Sequence, residues 1–248
     1  SERSNGLNEL DNRLVIFFKY LILRFSKGYI ICNSIPGKNF WVSKLSNSKV
    51  KYFPNIIKSK NINKKIESKK SLNILFACRF TKSKNTLLAA KVFCALQKNL
   101  PECNFYFIGD GELKHECVEY IEENSILPKN FFFTGFTENI TYYFLKSTVF
   151  LSLSSFEGTP NTVLEAAINK CPLVLSEIPS HMSIFSVKES FFVPLNNVEE
   201  IVDTLYKVLK SPKLCEKKAL LAYKLVKKNY DAKKISYSYD SFYQSLVK

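Results

Sequence analysis

The sequence has no uninterrupted run of about 18 apolar residues, which is the length that a membrane-spanning helix requires. Its nearest approach, residues 14–25, is interrupted by Lys19 and Arg24. The polar residues 1–13 also do not have the pattern of a secretory signal peptide. We therefore expect a cytoplasmic protein, with the inner face of the membrane as the alternative location.

None of the seven cysteines belongs to a C-x-x-C pair, and their odd number argues against a complete set of disulfides. Several lie inside apolar strand or helix patterns, where a thiol behaves as a small hydrophobic residue. The two histidines, His115 and His181, each stand alone in the sequence and are expected to be structural or exposed. We therefore expect reduced cysteines and neither a metal site nor a redox centre.

Acidic residues are scarce only in the first part of the chain. Residues 1–70 hold 15 lysines and arginines against 4 acidic residues, whereas residues 71–248 hold 21 against 18. The near balance of the longer part, and the lack of a recognised DNA or RNA motif, speak against nucleic-acid binding. The basic segment is either a solvated linker or a surface that faces anionic lipid or a phosphorylated acceptor.

From residue 71 onward, short apolar runs alternate with helical patterns. This alternation predicts an α/β fold with a doubly wound parallel sheet and helices on both faces. The predicted strands are residues 72–78, 104–108, 131–133, 148–153, 172–175 and 191–193, and the helices between them are 85–99, 112–124, 140–146, 161–169 and 180–186. Three more helices are predicted at 198–209, 213–229 and 232–246, and the earlier part is predicted to hold a helix ending near residue 28, a strand at 29–34, a helix at 38–46 and an extended piece at 50–57.

The polar turns after the predicted strands should face one crevice, because the carboxyl ends of parallel strands lie at the same edge of a sheet. One turn places Glu157 seven residues before Glu165, which lies in the following helix. Pro160 suits the first turn of that helix, with Thr159 as its N-cap. The start of such a helix is a site for an anion such as phosphate.

Two cations flank another of these turns. Arg79 ends the first predicted strand of this region, and Lys84 precedes the next helix. Arginine as a fork and lysine as a point charge are suited to a diphosphate. Gly109 follows a strand and permits close approach of the backbone, although it is also typical of an ordinary turn. The sequence lacks G-x-G-x-x-G, which argues against a dinucleotide dehydrogenase.

Four motifs, in this order, resemble those of one family: FACRFTKSKN, FYFIGDGEL, FFFTGFTENI and SSFEGTPNTVLEAAINKCPLVLSEIPSH with its E-x7-E spacing. The segment 73–175 resembles the donor-binding, C-terminal domain of the retaining GT-B glycosyltransferases of family 4. The resemblance implies residues 1–60 as an incomplete tail of the N-terminal acceptor domain, 61–71 as a linker, 72–230 as a Rossmann-like nucleotide-sugar domain and 231–248 as a helix that packs back on the N-terminal domain. It also implies that the isolated chain binds the donor but transfers little sugar without the missing domain or a partner chain.

The resemblance further implies a role for each site residue. Arg79 and Lys84 would bind the diphosphate of a UDP- or GDP-sugar, Glu157 the donor sugar, and Glu165 the ribose. The remaining binding groups would be the backbone of Gly158, Thr159, Pro160, Asn161 and Thr162, with Gly109, and with Gly135 and Phe136 near the base. The acceptor would be a glycan or a lipid-linked glycan, and no cofactor or metal is implied.

This sequence departs from the family pattern at two positions. Asn85 stands where a glycine usually follows the lysine, and Ser183 stands where an acidic residue is usual. Other functions stay open: a non-catalytic nucleotide-sugar-binding subunit of a split enzyme, or a GT-B-fold epimerase, for which only Glu157 and His181 are available as acid/base groups.

Overall fold

The computed structural model describes residues 13–26, 28–57 and 71–247. Most of the predicted linker 61–71 and the polar leader before residue 13 lie outside the described residues. The described residues form two parts, which we name the N-terminal unit (residues 13–57) and the main unit (residues 71–247).

The N-terminal unit contains α1 (Arg13–Phe25), β1 (Ile30–Cys32), α2 (Ile35–Val42) and β2 (Val50–Tyr52). The two strands pair in parallel, and Cys32 and Trp41 are fully buried between the strands and the helices. The ammonium group of Lys49 donates hydrogen bonds to the carbonyls of Leu23 and Ser26 at the end of α1. A cation at this position satisfies carbonyls that the helix leaves unpaired and stabilises the negative end of its dipole.

The main unit alternates strands and helices along the chain. Its elements are β3 (Asn73–Ala77), α3 (Thr86–Asn99), β4 (Asn104–Ile108), α4 (Lys114–Asn124), β5 (Phe131–Gly135), α5 (Ile140–Lys146), β6 (Val149–Ser152), α6 (Asn161–Ile168), β7 (Leu173–Ser176), α7 (Pro179–Met182), β8 (Phe191–Val193), α8 (Val198–Leu209), α9 (Pro212–Asn229) and α10 (Ala232–Val247).

The six strands of the main unit form one parallel sheet in the order β5-β4-β3-β6-β7-β8. The prediction of a doubly wound parallel sheet is therefore confirmed. The chain winds outward from β3 to β5 and then returns to place β6 on the other side of β3. The sheet consequently has its topological switch point between β3 and β6, where ligands bind in folds of this kind.

Burial explains why these segments become central strands. Every residue of β3, β6 and β7 is buried, as expected for parallel strands covered on both faces. Helices α3, α4 and α8 cover one face, which includes Phe76 and Phe107, and helices α5, α6 and α9 cover the other face, which includes Leu75 and Phe150.

The last helix, α10, returns to the N-terminal unit. Phe53, just after β2, stacks on Tyr239 of α10 with ring centroids 4.3 Å apart. Phe242 of the same helix lies edge-on to Tyr29, at 5.3 Å. These ring contacts fix the N-terminal unit against the main unit.

Two predicted helices have different bounds in the structure. The helix predicted at 38–46 is α2, which begins earlier because the Ser34 side chain accepts a hydrogen bond from the backbone of Gly37 as its N-cap. The helix predicted at 180–186 is only the short α7. Its continuation is replaced by a turn in which the carboxylate of Glu189 accepts hydrogen bonds from both the backbone and the hydroxyl of Ser186.

No helix within the described ranges is long and apolar enough to cross a membrane. No disulfide joins any of the seven cysteines, and six of them are buried. Burial raises the pKa of the Cys103 thiol to about 12, so this side chain stays protonated at neutral pH.

Gly109 holds two strand ends together at close range. Its φ is +124°, and a Cβ there would lie 1.9 Å from the carbonyl oxygen of Cys78 at the end of β3. The close approach predicted for this glycine is thus made by the backbone of the neighbouring strand. Gly135 also has a positive φ, +69°, but nothing lies within 4 Å of the position of its Cβ.

Replacing Gly109 with alanine should lower the free energy of unfolding by more than about 3 kcal/mol, because the backbone of β3 or β4 must shift to admit the Cβ. The matched variant Gly135→Ala places the same methyl group in open space. It should lower this free energy by only about 1 kcal/mol, the penalty of the left-handed conformation. Urea unfolding followed by circular dichroism measures both, and equal losses would contradict the packing argument.

Candidate functional site

The turns that follow β3 and β6 are joined by hydrogen bonds at the switch point. The backbone N–H of Ser155 donates to the carbonyl of Ser83 at 2.9 Å. The side-chain amide of Asn85 donates to the carbonyl of Leu153 at 2.7 Å. Asn85 itself is left-handed, with φ of +54°, a conformation that asparagine tolerates better than most residues. An asparagine in place of the usual glycine is therefore compatible with this turn and adds a bond to the opposite strand.

Lys84 and Glu157 are brought into direct contact across these turns. The ammonium group of Lys84 contacts Oε1 of Glu157, and the hydroxyl of Ser154 donates to the same oxygen at 2.8 Å. The two side chains are 22% and 15% exposed, so the pair is largely shielded from water. The hydroxyl of Ser180, on α7, donates to the backbone carbonyl of Glu157. The Glu157 side chain and backbone are thus both fixed in place.

A buried histidine is connected to the same turn by hydrogen bonds through Ser176. Nδ1 of His181 lies 3.0 Å from the carbonyl oxygen of Ser176, whose hydroxyl donates to the carbonyl of Ser154 at 2.6 Å. His181 is completely buried, and this burial lowers the pKa of its imidazole. The ring is therefore neutral at neutral pH and donates from Nδ1. His115, in contrast, is exposed on α4.

The predicted cap of α6 is wrong. Pro160 occupies the N-cap position, one residue before the first helical turn in which it was predicted. The hydroxyl of Thr159 does not cap the helix but donates to the carbonyl of Asn33 in the N-terminal unit, at 2.6 Å. The start of α6 therefore has no side-chain cap. The N–H of Asn161 donates to the carbonyl of Thr159, and the positive end of the helix dipole remains available to an anion.

The two glutamates of the E-x7-E motif line one cleft of about 640 Å³. Burial raises the pKa of Glu165 above its ordinary value. Gly158, Thr159 and Asn161 also line this cleft from the main unit. Its opposite wall is formed by residues of the N-terminal unit, among them Asn33 and Asn55, and by Tyr239 of α10. Neither asparagine is predicted from the sequence, because nothing local to either position indicates that it lines this cleft.

The remaining predicted residues are not among those that line this cleft. Arg79 is exposed at the end of β3, and Phe136, just beyond β5, is 83% exposed. The carbonyl of Gly135 accepts a hydrogen bond from the N–H of Gly109. Pro160 is buried and Thr162 is half-buried at the start of α6.

Several solved structures have the same fold. The structure described as TarM matches with a TM-score of 0.78 at 20% identity, over 90% of this chain and 45% of that one. Anabaena Alr3699/HepE in complex with UDP matches with a TM-score of 0.83 at 13% identity, over 98% of this chain and 71% of that one. At such low identity these likenesses concern the GT-B fold alone.

Two curated relatives are named as glycosyltransferases. The poly(glycerol-phosphate) alpha-glucosyltransferase of Bacillus subtilis is 26% identical over 60% of this chain and 22% of its own length. The N-acetylgalactosamine-N,N'-diacetylbacillosaminyl-diphospho-undecaprenol 4-alpha-N-acetylgalactosaminyltransferase of Campylobacter jejuni is 28% identical over 85% of this chain and 57% of its own length. The chain thus spans less than two thirds of the curated relatives it matches.

The family sequence model described as glycosyl transferases group 1 matches residues 57–224. This range holds Arg79, Lys84, Glu157 and Glu165, which include both glutamates of the cleft. Assignment to family 4 and retention of anomeric configuration stay predictions. The chain belongs to the glycosyl transferases group 1 family.

Proposed function

We propose that this chain is the donor-binding part of a retaining glycosyltransferase that moves a sugar from a nucleoside diphosphate sugar to a glycan or lipid-linked acceptor. The observation that carries the proposal is the contact between Lys84 and Glu157 at the switch point, beside the uncapped start of α6. In support, an Escherichia coli relative, 25% identical, is named for galactosyl transfer from UDP-Gal to a GlcNAc-diphosphoundecaprenol acceptor.

Charge and position suggest which part of the donor each residue of the proposed site would bind. Arg79, Lys84 and the start of α6 would hold the diphosphate, whose negative charge each of them attracts. Glu157 would accept hydrogen bonds from the transferred sugar and Glu165 from the ribose. Phe136, exposed at the end of β5, offers a ring against which a base can stack.

The proposed reaction keeps the anomeric configuration through attack on one face of the sugar. The bond between the anomeric carbon and the diphosphate oxygen breaks, and the acceptor oxygen bonds to that carbon on the same face. The proton of the acceptor hydroxyl passes to the departing diphosphate oxygen. Arg79 and Lys84 would stabilise the charge that develops on this oxygen.

The N-terminal unit has the features of part of a larger α/β domain. Its parallel sheet has two strands, whereas parallel sheets are normally larger and covered on both faces. One face of α1 is uncovered by described residues: Phe17, Phe18 and Phe25 are 54%, 59% and 81% exposed. We propose that this unit belongs to an acceptor domain completed by further chain or by a partner. Association of the basic segment 1–70 with anionic lipid stays a prediction.

Nucleotide sugars should stabilise the folded chain, because a ligand that binds only the folded state raises its melting temperature. In a thermal-shift panel of UDP- and GDP-sugars, Glu165→Gln should weaken binding about tenfold or more, the loss of hydrogen bonds to a charged group. Glu122→Gln, an exposed glutamate of α4, is the matched control and should bind as the wild type does. The absence of any shift for the wild type would refute the proposed function.

Lys84 should act on the diphosphate and not on the nucleoside. Lys84→Ala should weaken UDP binding at least about tenfold, the loss of one charge-assisted contact, and leave uridine binding unchanged. Lys82→Ala changes an exposed lysine of the same turn and serves as the control. Isothermal titration calorimetry measures both ligands, and equal loss of UDP and uridine affinity in Lys84→Ala would argue against a diphosphate contact.

The 248-residue chain by itself should bind the donor but transfer little sugar, since its N-terminal unit offers an incomplete acceptor wall. The measurement is UDP release from a bound UDP-sugar in the presence of lipid-linked and polyol-phosphate acceptors. Robust transfer by this chain alone would show that the proposed acceptor domain is unnecessary.

A further inference from the structure

Two asparagines of the N-terminal unit lie at the edge of its sheet that faces the main unit. Asn33 follows β1 and Asn55 lies three residues beyond β2. Because these strands are parallel, their carboxyl ends meet, and Nδ2 of Asn33 donates to Oδ1 of Asn55 at 3.2 Å. Nδ2 of Asn55 in turn donates to Oδ1 of Asn161 at 2.9 Å. We name these three linked side chains the amide chain.

The amide chain shares its cleft with the two glutamates. Asn33, Asn55 and Asn161 line the same space of about 640 Å³ as Glu157 and Glu165. This volume is in the range of small-ligand sites. The amides of Asn33 and Asn55 lie on the wall of the N-terminal unit, and Asn161 shares the main-unit wall with the two glutamates. The cleft therefore offers both hydrogen-bond donors and acceptors.

The amide chain has hydrogen-bonding capacity that its internal bonds do not use. An amide has two N–H donors and an oxygen with two lone pairs. Oδ1 of Asn33 is buried and accepts no hydrogen bond from any described residue. A buried acceptor without a donor is unfavourable, and such exceptions call for an explanation. That oxygen is itself enclosed, so the capacity open to a ligand in the cleft is the second N–H of Asn33 and of Asn55, which the bonds between the amides do not use.

We propose that Asn33 and Asn55 bind hydroxyl groups of the sugar ring carried by the donor, so that the N-terminal unit takes part in sugar recognition. The inference rests on the proposed function and adds two binding residues to it. Vicinal hydroxyls of a pyranose both donate and accept, as the linked amides do. The amides are also uncharged, and therefore select for hydroxyls without competing for the diphosphate. Lys84 and Glu165 bind the nucleotide part, so the two parts of the ligand contact separate sets of residues.

Calorimetry with UDP, UDP-glucose, UDP-galactose and UDP-N-acetylglucosamine tests the assignment. In Asn33→Ala and Asn55→Ala, the affinity for UDP should stay within about twofold of the wild type. The affinity for the UDP-sugar that the wild type prefers should fall about tenfold, the loss of one hydrogen bond. Asn130→Ala is the matched control, because its amide donates to the carbonyl of Pro101 in a loop outside the cleft.

A second variant separates recognition from simple attachment of the N-terminal unit. Phe242→Ala removes the ring that contacts Tyr29 and Phe53 and leaves the amides in place. Recognition predicts that the ratio of UDP-sugar to UDP affinity falls in the asparagine variants but not in Phe242→Ala. An equal fall of this ratio in all three variants would mean that the amides only attach the N-terminal unit to the main unit, and would overturn the inference. An unchanged ratio in the asparagine variants would also overturn it.

The proposed function and this inference fail in different ways. If the wild type binds neither UDP nor a UDP-sugar, the proposed function is wrong. If it binds UDP and no UDP-sugar more tightly than UDP, the proposed function survives and sugar recognition by the amides is wrong. Asn33→Ala keeps the backbone carbonyl that accepts from Thr159, so one bond between the units persists in that variant.

Discussion

The contact between Lys84 and Glu157 joins the turns that follow β3 and β6. These are the neighbouring strands at which the order of the strands along the chain switches from one side of the parallel sheet to the other. Both side chains are largely shielded from water, so their attraction is screened less than that of an exposed pair. Ser154 donates to the same carboxylate oxygen and thereby supplies part of the solvation that burial removes. The contact explains why the turns after β3 and β6 stay close, and it holds the group that attracts phosphate beside the group that would accept hydrogen bonds from a sugar.

The cleft depends on contacts far from the glutamates as well. Its second wall is the N-terminal unit, which is fixed by the Thr159 hydroxyl within the site and by the ring of Phe53 on Tyr239 outside it. The second contact lies on the last helix of the chain. The shape of the cleft is therefore determined jointly by the first and the last described segments, which the stacking of Phe53 on Tyr239 holds together.

Local sequence patterns are sufficient to predict the strands of the sheet and to place the two glutamates of the E-x7-E motif at one crevice. The central strands are apolar except at their ends, where Asn73, Ser152 and Ser176 stand, because both their faces are buried. Such runs are visible in a single sequence. The prediction that Thr159 caps α6 is wrong because its hydroxyl has a partner 126 residues earlier in the chain, which no local rule includes. For the same reason, no local pattern predicts that Asn33, Asn55 and Ser180 belong to the site. Gly109 shows a related difficulty: the sequence predicts close approach of a backbone, but only the fold shows that the approaching group is the Cys78 carbonyl.

Charge in the site also bears on how the proposed ligand would be held. The contact with Lys84 offsets the charge of Glu157, and Ser183 adds no further carboxylate where the family pattern has an acidic residue. Burial raises the pKa of Glu165, which favours its neutral form relative to an ordinary glutamate. Arg79, exposed just after β3, and the start of α6 would add positive charge to the proposed diphosphate site. In the proposed function, a phosphate oxygen would take the place of the Glu157 carboxylate beside Lys84, and Glu157 would then accept hydrogen bonds from the sugar.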